Sequence, residues 1–262
     1  MSPPPIFKID FNEEFPNLEE RAPCIEAVIH WQANASKALD PDMLRDKLVQ
    51  RLPDYPICEP QHGIKIEFGT PDNMSEVAQT IQWNGFRMQD EKHHVAQFTP
   101  LGAVFSRLEP YEKWENFQIE AMRFWDIFLD LAAPASIQRL GVRYINRIPL
   151  RNDEQPSTYL KTLPSAIPEL ELPTESFFYQ DTYQVPGYPY HVNWVRTIQS
   201  QQITPFEAQG QALIIDIDVF TANEFIALDR ESLIKHLDEM RWIKNKIFFS
   251  CITQTALTQF GA

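Results

Sequence analysis

Ile137-Gln-Arg-Leu-Gly-Val-Arg-Tyr-Ile-Asn-Arg-Ile148 reads in twos. Arg139, Gly141, Arg143, Ile145 and Arg147 fall on one side of an extended chain, and Leu140, Val142, Tyr144 and Asn146 on the other. That alternation predicts a strand with one buried face. The residues before it read in threes and fours. Trp114, Phe117, Ala121, Phe124 with Trp125, Phe128 and Ala132 predict an amphipathic helix over about 112–132. Glu112 and Glu115 stand in its first turn, where the helix dipole favours acids, and Pro134 ends it.

Further upstream, four short strands are expected at 63–68, 79–88, 93–99 and 103–108. Gln89–Lys92 and Pro100–Gly102 serve as turns, which suggests an antiparallel meander. Cys24–Gln32 is another strand, with Ile25, Ala27, Ile29 and Trp31 expected on its core side and Cys24 on the other. Pro41–Leu52 is a short helix, capped by Asp40 and stopped by Pro53. Downstream, strands at about 175–184, 190–200 and 211–220 precede a second long helix at 229–249 and a tail, Ser250–Ala262, that continues as helix. Leu233, Leu237, Met240, Lys244 and Ile247 mark one stripe of that helix, and the lysines of Arg241–Lys246 are expected to solvate a face.

Both halves thus run strands before a helix. The expected fold class is α+β, in two lobes, each a mainly antiparallel sheet packed by a long amphipathic helix. The divisions are an extended Pro-rich arm (1–22), a first lobe (23–150), a Pro-rich connection (151–174) and a second lobe (175–262).

Composition narrows the function. The 262 residues carry 36 acidic and 23 basic side chains, a net charge of −13. An acidic field repels phosphate backbones, so nucleic acid is not the expected partner. Only 8 residues are glycine, less than half the usual ~7%, which leaves little for phosphate-cradling loops. No P-loop, GxGxxG, GxSxG or HExxH pattern occurs, and no cofactor is expected. The three cysteines, Cys24, Cys58 and Cys251, form no CxxC pair and read as reduced thiols. With no signal-like start and no run of 18 apolar residues, a cytoplasmic protein is expected.

Several blocks, in order, carry a resemblance. Ala22–Val28 resembles an "aPIxEAV" opening, Glu109–Trp114 a "PYxxW" helix entry, and Arg139–Arg147 an "RlGlRYiN" strand. Asp216–Phe220, and Lys244-Asn245 with Phe248-Phe249 and Ile252-Thr253, resemble the closing blocks. Together they are similar to a sporadically distributed bacterial and archaeal family of uncharacterised proteins of about this length. The resemblance implies no activity. Sporadic distribution suggests a setting in defence or toxin–antitoxin gene systems.

The stripe Arg139, Arg143, Arg147 spans about 27 Å at ~3.4 Å per residue. It is either an anion site, with Tyr144 and Asn146 of the same strand counted among its ligand-binding residues, or is neutralised by the protein's own acids. Asp216 and Asp218, on one face of Leu213–Phe220, are the acids expected to meet it across neighbouring strands. The same two carboxylates could instead hold Mg²⁺ or Mn²⁺ for phosphodiester chemistry, with Glu207 and Asp229 nearby in sequence. Phe177-Phe178-Tyr179 with Tyr183, Tyr188, Tyr190 and Trp194 form an aromatic group that is either core or a binding patch. The reading is a cytoplasmic binding or interaction protein rather than an enzyme, engaging a protein partner or forming a homo-oligomer. A metal-dependent phosphoesterase and an anion sensor stand as alternatives.

Overall fold

The computed structural model describes residues 7–18, 21–68, 77–111, 113–151, 154–163, 176–201 and 210–261. Pro3–Pro5 of the arm, Glu112, residues 164–174 of the connection, and Glu207 lie outside them.

Eleven strands and four α-helices appear among the described residues: β1 (Cys24–Gln32), α1 (Pro41–Arg51), β2 (Ile57–Phe68), β3 (Val77–Gln89), β4 (His94–Thr99), β5 (Gly102–Leu108), α2 (Trp114–Ala132), β6 (Ser136–Ile137), β7 (Arg139–Leu150), β8 (Phe178–Gln184), β9 (His191–Gln201), β10 (Gly210–Thr221), β11 (Phe225–Ile226), α3 (Arg230–Cys251) and α4 (Gln254–Gln259). Nine strands form one antiparallel sheet in the order β2-β3-β4-β5-β1-β7-β10-β9-β8, and β6 pairs with β11. The mixed α+β class is therefore present, dominated by one large sheet.

The sequence suggests two sheets, but the two runs of strands join in one. The seam is β1 against β7, from Cys24 opposite Asn146 to Gln32 opposite Arg139. Each of these strands carries an apolar column: Ala27, Ile29 and Trp31 on β1, and Leu140, Val142 and Tyr144 on β7. Side by side, the columns make one apolar surface, and neither strand is left with an open edge. A register shift between Cys24 and Glu26 corrects the expected parity of β1. The bulge turns Cys24 into the core, although simple alternation places it outside.

The helices cover that apolar surface. Trp125 of α2 stacks on Trp31 with ring centroids 5.4 Å apart, and Phe124 stacks on Phe105 of β5 at 4.9 Å. Leu44 and Leu48 of α1 are buried, and Tyr55, just beyond that helix, meets Phe124 edge-on. α3 lies over β7 and β10, and its Asp238 accepts from Trp114 Nε1 of α2 at 2.8 Å. Asp40 caps α1 through Met43 N, and Asp229 caps α3 through Ser232 N. The tail does not simply prolong α3. The chain breaks at Ile252, which bridges to Leu160, and restarts as α4 under a Thr253 cap.

The described part of the N-terminal arm does not stand away from the body. Phe11 and Phe15 pack on Trp242 of α3, and Glu13 pairs with Lys246 at 2.7 Å.

Candidate functional site

The arginine stripe lies on the sheet face opposite α2 and α3. β7 runs beside β10, with Arg143 opposite Asp218 and Arg147 opposite Ile214. Arg143 reaches diagonally and grips Asp216 with two bonds, Nε to Oδ1 at 2.8 Å and Nη2 to Oδ2 at 2.5 Å. Arg139 donates to Asp218 at 2.8 Å, and its guanidinium lies 4.4 Å from the Phe220 ring centroid. Gly141 leaves room for this pair: a Cβ there would come within 2.9 Å of Arg139 Nη1 and 3.3 Å of Asp218 Oδ1.

Two of the three arginines are thus neutralised within the sheet. Burial pushes Asp218 up, while Arg139 and Arg143 pull it back. Arg143 is raised by its bond to Asp216. His30, 3.2 Å from Arg139, is held down to about 4 by burial and that neighbouring cation. Both carboxylates proposed as metal ligands serve guanidiniums, and no group of three His, Cys, Asp or Glu side chains is placed to hold a metal among the described residues.

Tyr144 and Asn146, grouped with the stripe in the anion-site reading, lie on the opposite, helix-covered face that the alternation predicts, so they do not join the arginines in one site. Asn146 Nδ2 donates to Ile215 O at 3.1 Å. The buried Tyr144 hydroxyl meets that of Tyr111 at 2.6 Å. Lys244 stands over the Tyr144 ring, its Nζ 3.7 Å from the centroid, which corrects the expectation that it solvates a helix face. Burial holds its amine down to about 7, with Cys24 and Arg241 the neighbouring titratable groups, and burial pushes the Cys24 thiol up to about 12. Here distant segments converge: Glu109 N bonds to Ile25 O, and Arg147 N to Pro23 O at 2.8 Å. Between them lies a cleft of about 370 Å³ bordered by Cys24, Tyr111 and Arg147.

The aromatic group of the second half divides. Tyr190 is buried, and its hydroxyl bonds to His236 and Glu239 of α3. Phe178, Tyr179 and Tyr183, in contrast, are 69%, 43% and 47% exposed on β8, the last strand of the sheet. The buried Arg196 of β9 lies beneath this strand. Its guanidinium is 3.7 Å from the Trp194 ring centroid and 4.4 Å from that of Tyr179, and it pairs with Asp181. Asp181 is the one charged residue in Phe178–Gln184, so the strand's single charge is met from within. β8 pairs with β9 in continuous register from Phe178 opposite Thr197 to Gln184 opposite His191. Among the described residues no strand pairs with its other side, which leaves N–H and C=O groups facing outward as at an open edge.

Set against family models, curated proteins and solved structures, the chain matches none.

Two features escape the sequence reading. Lys244 sits at an apolar position of its helical stripe, a visible signal, yet its position over Tyr144 depends on how α3 packs on β7. The strand at β8 is legible, but its place at the edge is a property of strand order, which local patterns do not carry.

Proposed function

We propose that the protein is a binding protein that takes an extended segment of a protein partner onto the open edge of β8. The observation that supports this is the character of that edge: seven residues without a bulge, proline or basic side chain, three of them exposed aromatics, and an acid already paired beneath the strand. Main-chain bonds along such an edge supply affinity, and alternate side chains supply specificity. The aromatics offer contact area of the kind enriched at interaction hot spots. A cytoplasmic setting within a small bacterial defence or toxin–antitoxin system, and kinship with the sporadically distributed family, belong to the same proposal. They draw on the sequence blocks, three of which, Ala22–Val28, Glu109–Trp114 and Arg139–Arg147, lie against one another. The engagement of Arg139, Arg143, Asp216 and Asp218 with one another favours binding at β8 over an anion sensor or a phosphoesterase on the sheet face.

The test is affinity capture from a host extract with tagged full-length chain, beside a Gln180→Lys/Thr182→Lys variant that charges the edge. A partner held by the wild type, cross-linked to 178–184 and lost with the variant, is the expected result. Equal capture by both proteins removes the proposal.

A further inference from the structure

Resting on the strand-binding reading of β8, we infer that the segment this edge accepts is β8 of a second copy of the chain, paired antiparallel about a two-fold axis through Asp181. The sequence of the strand is close to symmetric about that residue: Tyr179 and Tyr183 flank it at two positions, Gln180 and Thr182 at one. In an antiparallel pair, directly opposed residues point to the same face. The Asp181-centred register therefore sets Tyr179 against Tyr183 of the other copy, twice, on the helix side of the sheet. It sets Gln180 against Thr182, twice, on the open side.

The two neighbouring registers that preserve the faces, centred on Gln180 and on Thr182, oppose Asp181 to Tyr179 or to Tyr183 and lose both Tyr179–Tyr183 pairs; the first sets Tyr183 only against Phe177, which precedes the strand, and the second sets Tyr179 against Val185. Aromatic cross-strand pairs stabilise a ladder, and like charges directly opposed weaken it. The Asp181-centred register places two carboxylates near each other, but each is already paired with the buried Arg196 of its own sheet. Tyr179 and Tyr183 are exposed on the helix side, and among the described residues no helix covers them where the second copy would lie. The isologous pair continues the nine-stranded sheet into eighteen strands, with the helices of both copies on one face. A net charge of −13 on each copy opposes the encounter at long range, so added salt should promote pairing.

The experiment is sedimentation of the full chain over a range of concentrations. The wild type is expected to dimerise, more tightly in salt. Gln180→Lys/Thr182→Lys, which opposes lysine to lysine twice in this register, is expected to weaken the dimer at least tenfold with unchanged thermal unfolding of the monomer. Mixing that variant with Gln180→Glu/Thr182→Glu is expected to restore a mixed dimer, because both oppositions become Lys against Glu. A wild-type monomer at every concentration overturns self-pairing, as does a dimer indifferent to the lysines or a mixture that does not pair. If the wild type is monomeric yet captures a different protein through β8, self-pairing fails and the strand-binding reading stands.

Discussion

Among the described residues, the sheet ends in two edges of opposite design. At one end, β2 carries Pro60, a register shift between Gln61 and His62, and Glu59 in a pair with Arg87 at 3.5 Å. Proline withholds a donor, a bulge twists the ladder away, and a charge resists burial; these are the devices by which natural sheets refuse another strand. At the other end, β8 has neither proline nor bulge. It keeps straight register, shows aromatic rings to solvent and draws its one acid down onto Arg196. Since the same chain protects one edge, the bareness of the other is the contrast on which the proposed strand binding at β8 rests.

The contrast can be broken most severely at Arg196. This buried guanidinium supports β8 from below, so Arg196→Met leaves Asp181 without its partner and removes two ring contacts. The expected loss is about 3 kcal/mol in urea unfolding. Amide exchange in 178–184 should accelerate far more than in 57–64, and equal acceleration at both edges would contradict the role given to Arg196.

Next in size, charging the bare edge alone should separate association from stability. Gln180→Lys/Thr182→Lys should cost about 1.4 kcal/mol or more in pairing, the equivalent of tenfold. It should leave the monomer's urea midpoint nearly unchanged, because Gln180 and Thr182 are exposed.

The reverse experiment strips a protection from the guarded edge. Pro60→Val should change stability by less than about 1 kcal/mol, as expected for an exposed position. It should nevertheless give β2 new concentration-dependent association by light scattering. Failure to associate would show that the bulge and Glu59 suffice without the proline.

The smallest effect on either edge is expected at Lys244 of α3, which stands over Tyr144 of the interior strand β7. Its amine is held near 7 in the fold, against 10.5 normally. Between those values the unfolded chain binds a proton that the folded chain does not. Stability from this group therefore rises as pH goes from about 7 to 10.5 and is level below 7. Lys244→Met should flatten that rise in pH-dependent thermal unfolding while both edges exchange as before.

These contrasts also show how far sequence reading reaches. Strands with one buried face, such as β7 and β10, are legible because the core imposes a period of two, and the meeting of Arg139 and Arg143 with Asp218 and Asp216 follows once two such faces are neighbours. The start of β2 is not legible, because Pro56 and Pro60 argue against a strand unless that strand is known to be an edge. The inward turn of Cys24 depends on a bulge against β7, a strand remote in sequence. Tyr144 and Asn146 share a strand with the arginines but not a face, so a site drawn from sequence proximity divides between the two sides of the sheet.

The seam between β1 and β7 also sets an order of events during synthesis. Cys24–Gln32 leaves the ribosome early, but its partner, Arg139–Asn146, is made only after α2 has been completed. At ordinary elongation rates the interval is on the order of ten seconds. Throughout it, the nascent strand bearing Ala27, Ile29 and Trp31 has β5 as its only eventual sheet neighbour yet translated, and that only late in the wait. The vulnerable moment in this protein's life therefore falls before β7 exists, at an edge that the finished molecule no longer has.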